Sequence, residues 1–79
     1  MRLIERRMLD LIGKRNMTRS DVAAAIGVSP SHFRNVLKGR RRLNLKHSKR
    51  LIEMFGVERM QFAIDWDAMG IKDPLKEAR

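Results

Sequence analysis

A chain of 79 residues holds one domain with a small core, to whose stability burial against a second copy would add. Apolar residues make up 43% and charged residues 34%, which is too apolar for a wholly disordered chain, and the lack of cysteine excludes disulfides and thiolate metal sites. The apolar runs, such as Val22 to Ile26, are too short to span a membrane, and Arg and Glu break up the opening residues where a secretory signal would be apolar, so a cytoplasmic protein is expected.

The formal net charge of +9 is unevenly spread. Residues 1–16 carry +3, residues 17–39 +2, residues 40–56 +5 and residues 57–79 −1. The positive charge therefore lies in the first 56 residues, peaking at Arg40-Arg41-Arg42 and between Lys46 and Arg50. Such density implies a polyanionic partner; the alternative is a solvated basic surface that keeps the protein soluble.

Every segment reads as helix and none as strand. Leu3, Ile4, Met8, Leu11 and Ile12 recur at spacings of three and four, one apolar stripe on a helix of about four turns, with Arg2, Arg6, Arg7 and Lys14 largely off it. Asn16, a residue that tolerates the left-handed conformation, is the expected stop. A second helix starts at Thr18, whose hydroxyl can accept from the backbone of Asp21 while the Asp21 carboxylate favours the positive end of the helix dipole. Val22, Ala23 and Ile26 form its inner face, and Gly27 ends it. Ser29 then caps a third helix, with Pro30 at the first helical position, where a missing N–H costs nothing. Phe33, Val36 and Leu37 are its core positions, Ser31, His32, Arg34, Asn35 and Lys38 its polar ones, and Gly39 closes it.

A basic loop, Arg40 to Leu43, leads to Asn44 as the cap of a fourth helix, in which Leu45, Ser48, Leu51, Ile52 and Phe55 repeat at helical spacing up to Gly56. Val57 to Met69, with Met60, Phe62, Ile64, Trp66 and Met69 among acids, is expected as a fifth helix. A polar tail follows over residues 70–79, where Pro74 disfavours a long regular element. The expected fold is all-α, a compact bundle of about five short helices that makes one domain of residues 1–69.

From Met17 to Val57 the chain resembles the lambda-repressor and Cro-like helix-turn-helix family. Thr18, Val22, Ala23, the turn Ile26-Gly27-Val28-Ser29, Phe33, Val36 and Gly39 carry the pattern. Each has a physical reason: Val22, Ile26, Val28, Phe33 and Val36 make the small core that fixes the two helices against each other, and Ala23 is small where they approach most closely. The resemblance implies a sequence-specific regulator of transcription, most often a repressor, that binds a palindromic duplex as a homodimer and inserts helix 30–38 into the major groove. Two positions depart from the family's habit. Arg19 stands where Gln is frequent, which keeps a phosphate contact but not the bracing of the recognition helix, and Pro30 replaces a frequent base reader with a residue that cannot donate.

Base reading is therefore expected of Ser31, Arg34, Asn35 and Lys38. Arg suits the O6 and N7 of guanine and Asn the N6 and N7 of adenine, whereas a serine hydroxyl binds base edges and phosphates alike. Thr18, Arg19, Ser29, His32, Arg40, Arg41 and Arg42 are expected on the DNA backbone. Phe62, Trp66 and Met69, four and three apart, are expected on one face of the fifth helix as the dimer interface, the alternative being that they cap the monomer core.

Catalysis, cofactors and metals are not expected. Ser29, Ser31 and His32 are neighbours on a short helix and do not form a base-oriented triad, and the two histidines have neither a cysteine nor an acid at ligand spacing. A different class of function is an antitoxin-like interaction module whose Trp66-bearing C-terminal segment binds a partner protein. An RNA-binding role is disfavoured because one Trp, three Phe and no Tyr offer few platforms for stacking bases.

Overall fold

Side chains cap three of the helix starts, as their sequence positions predict. Thr18 Oγ1 accepts from the Asp21 N–H at 3.0 Å, Ser29 Oγ from the His32 N–H at 3.0 Å, and Asn44 Oδ1 from the His47 N–H at 2.9 Å. The computed structural model describes residues 1–70; the expected tail beyond Gly70, with Pro74, lies outside the described residues. Along the chain come α1 (Glu5–Lys14), α2 (Arg19–Ile26), α3 (Pro30–Leu37), α4 (Leu45–Phe55) and α5 (Val57–Ala63), then a short 3-10 turn at Asp67–Met69. The fold is all-α, as read from the sequence. Asn16 takes the left-handed conformation after α1, at φ 55°.

One core holds the helices together. Met8 of α1, Val22, Ala23 and Ile26 of α2, Phe33 and Val36 of α3, and Leu51 of α4 have no solvent exposure, and Phe55, Met60 and Ala63 complete it from below. α2 packs most extensively on α3, and α5 on both α4 and α1. The apolar spacing of each helix thus becomes a shared interior in which α2 and α3 are locked as a unit.

The structure corrects three readings. The first helix begins at Glu5, because Leu3 and Ile4 are extended: Leu3 forms an antiparallel bridge with Ile64, the Ile4 N–H donates to the Ala63 carbonyl at 2.7 Å, and the Asp65 N–H to the Arg2 carbonyl at 2.9 Å. This pairing satisfies backbone groups that a helix end would leave open, while Leu3 and Ile64 keep their side chains in the core. For the same reason the fifth helix ends at Ala63 instead of Met69, so Phe62, Trp66 and Met69 do not share one helical face. Leu45, finally, is 75% exposed at the first position of α4, and Leu43 from the preceding loop fills the core in its place at 4%.

Candidate nucleic-acid interface

The corner between α2 and α3 is made by local chemistry. Gly27 turns at φ 89°, a conformation costly for any residue with a Cβ, and lets its own N–H and that of Val28 each close on the Ala23 carbonyl at 3.0 Å. Arg50 of α4 reaches the same corner and donates to the Ile26 carbonyl at 3.4 Å, satisfying an acceptor that the helix end leaves free. Ser29 and Pro30 then start α3 at once. At the far end of α2, Thr18 and Asp21 bond reciprocally, the Thr18 N–H donating to Asp21 Oδ2 at 2.8 Å. The Thr18 N–H and then its hydroxyl hold the Asp21 carboxyl below the usual carboxylate range.

These starts set α2 and α3 with their first turns side by side. Between them opens a cleft of about 210 Å³ lined by Arg19, Ser20, Pro30 and Arg34. Two arginines, one from each helix of the motif, therefore border a single groove, beside a proline that has no N–H to offer. Ser31 and Arg34 are exposed on the outer face of α3, whereas His32 and Asn35 are half-buried at its flanks. Arg40, Arg41 and Arg42 follow as an exposed ridge, held by their backbones: the Arg40 and Arg41 N–H groups donate to the Asn35 carbonyl at 2.9 and 3.3 Å.

Charge pairing divides these residues. Arg19, Arg34, Arg40, Arg41 and Arg42 form no ion pair with the described residues. Lys38 differs, for its ammonium lies 3.2 Å from Glu5 Oε1 of α1. The sequence reading grouped Lys38 with the base readers; in the free protein its charge is turned toward α1, and the other Glu5 oxygen is buried without a partner. The only sign of this in the sequence is that Glu5 is an acid set among arginines.

The histidines, far apart in sequence, meet between α3 and α4 with ring centroids 6.4 Å apart and planes at 87°. His32 Nε2 and His47 Nδ1 are buried without partners. Burial, with the charge of Arg41 and the neighbouring His47, holds His32 below its ordinary pKa. Among the described residues no group of three or more His, Cys, Asp or Glu is arranged to hold a metal.

The expected dimer residues separate. Phe62 is 37% exposed, with the Arg7 guanidinium 5.0 Å from its ring centroid. It borders an open groove with Leu11, Lys14, Glu58 and Arg59. Trp66 and Met69 are half-buried against the core of their own chain, and Trp66 Nε1 donates to the Gln61 carbonyl at 3.0 Å. Val57, absent from the sequence-based set, stands 61% exposed at the start of α5.

No helix among the described residues is long and apolar enough to cross a membrane. A helix-turn-helix family model matches residues 8–62, from within α1 to nearly the end of α5. No curated protein and no solved structure gives a significant match. With the family pattern spanning well over half of the chain and the helix pair built as that pattern requires, the chain belongs to the lambda repressor/Cro-like helix-turn-helix family, whose fold is that of DNA-binding transcription regulators.

Proposed function

We propose that the protein is a cytoplasmic transcriptional repressor that binds a palindromic operator as a homodimer, with α3 of each copy in the major groove. The observation that carries this reading is the outer face of α3. It presents Ser31 and Arg34 to solvent, shares a cleft with Arg19, and runs on into three exposed arginines that no carboxylate of the described residues neutralises. In this arrangement Arg34 and Asn35 read base edges, Ser31 reads a base or a phosphate, and Lys38 joins them when it leaves Glu5. Arg19, Arg40, Arg41 and Arg42 hold the sugar-phosphate backbone, with the Thr18 and Ser29 hydroxyls and the His32 edge beside them.

The case for a dimer is that a helix as short as α3 reads only a few base pairs, and that Val57 and Phe62 leave apolar surface open on α5. Trp66 and Met69 contribute only their exposed edges to such an interface. Selection of bound duplexes from a random pool tests the reading: a two-fold symmetric consensus is expected, with half-sites about 34 Å apart. A protein that stays monomeric on the selected duplex would remove the dimer from it.

Salt dependence tests the backbone contacts. The logarithm of the binding constant should fall with that of salt concentration at a slope of about −0.9 per phosphate neutralised. Arg41→Ala is expected to weaken specific and unrelated duplexes alike and to flatten that slope by about one unit. An unchanged slope would take Arg41 off the backbone.

A further inference from the structure

The family match starts at Met8, yet the segment before it reaches the arginine ridge. The backbone of Arg2 is fixed on both sides: its carbonyl accepts from Asp65, the next residue bridges to Ile64, and the Met1 nitrogen donates to the Leu43 carbonyl at 3.2 Å. From this anchored position the side chain runs over Gly39, the turn that joins α3 to Arg40. Its Nη2, Nε and Cζ atoms lie 2.8, 3.4 and 3.5 Å from the point where a Cβ on Gly39 would stand. The missing side chain at position 39 thus serves both the backbone turn, at φ 77°, and the seat of the Arg2 guanidinium.

The guanidinium itself is unused. Among the described residues it enters neither ion pair and donates no hydrogen bond. Glu5 is taken by Lys38, and Asp65 Oδ1 accepts from the Ala68 N–H at 3.2 Å. Arg2 is half-buried, with part of its surface open to solvent. A planar cation with N–H donors only, held by its own backbone and seated on Gly39 where the run Arg40 to Arg42 begins, has the geometry and charge to receive an anionic oxygen, and none of the described residues supplies one.

We propose that Arg2 binds a backbone phosphate of the DNA at the C-terminal end of the recognition helix, extending the Arg40–Arg42 ridge with a residue from outside the helix-turn-helix. This rests on the DNA-binding reading above. The contact is sequence-independent, and its pre-set position spares it most of the ordering cost that a free arm would bear.

The experiment measures binding of the full chain to its selected duplex and to an unrelated duplex over a salt series, for the wild type, Arg2→Gln, Arg2→Lys and Arg41→Ala. Arg2→Gln keeps part of the aliphatic stem and removes the charged guanidinium that lies over Gly39. It is expected to flatten the slope by about one unit on both duplexes, while Arg2→Lys restores it. An unchanged slope in Arg2→Gln, alongside a flattened one in Arg41→Ala, overturns the proposal and leaves the DNA-binding reading standing. A wild type without steep salt dependence on either duplex overturns both. Thermal melting of each variant without DNA separates lost folding from a lost contact, because a purely structural Arg2 lowers the melting temperature and leaves the slope as it was.

Discussion

Phe33→Ala is expected to cost about 3–5 kcal/mol, enough to leave a domain of this size largely unfolded at physiological temperature. Phe33 has no solvent exposure and is among the largest fully buried side chains of the core. It is also the largest apolar side chain that α3 contributes. Truncation would open a cavity between the two helices of the motif, and a core this small has few neighbours able to collapse into the space. Urea denaturation followed by helical circular dichroism measures the cost. A loss below about 1 kcal/mol would mean that α2 and α3 close over the gap, contrary to the packing described. DNA binding should fall with the folded fraction, and a duplex in excess should restore part of it, since a ligand that binds only the folded state stabilises that state.

The second large effect concerns recognition alone. Arg34→Ala and Asn35→Ala are each expected to cost about 1–3 kcal/mol on the selected duplex with little change in folding stability. Arg34 is exposed and lines the cleft with Arg19, so its removal takes no contact from the core. Asn35 is half-buried and uncharged, so Asn35→Ala should leave binding to unrelated DNA almost unchanged, whereas Arg34→Ala should weaken it somewhat. The decisive measurement is a scan over all single-base variants of the operator: each substitution should abolish discrimination at one or two positions of each half-site and preserve it elsewhere. Uniform weakening would move these side chains from base reading to positioning, and Ser31 and Lys38 would become the readers to test.

The parts of the fold legible in the sequence are those governed by local rules. Thr18, Ser29 and Asn44 cap, Gly27 turns, and Val22, Ile26, Phe33 and Val36 are buried because capping and helical periodicity act over a few residues. Helix ends decided by distant pairing were not legible. Leu3 and Ile4 continue the apolar spacing of α1, and Ile64 and Trp66 that of α5, and only the bridge between the two segments shows that both leave the helix. Leu45 fits the phase of α4 but lies past the edge of the core, an edge set by where Leu43 enters. In the candidate interface, exposure of Arg34 and of the loop arginines follows from the helical face. The engagement of Lys38 by Glu5, the meeting of His32 with His47 and the seat of Arg2 on Gly39 are contacts between elements, which spacing along one helix does not encode.

The bridge between Leu3 and Ile64 also bears on how the domain opens. Most small domains fray from their ends, where backbone amides exchange with solvent long before the interior does. Here the amides of Ile4 and Asp65 are tied across the domain, each to the opposite end of the helical region. The bridged residues Leu3 and Ile64 are themselves buried in the core, so the exchange of these amides is expected to track global unfolding. A contact of such long sequence separation, in a fold otherwise rich in local ones, forms late in folding because its loop-closure entropy is repaid only once the core between has assembled. The cooperative unit is therefore wider than the recognition motif it carries.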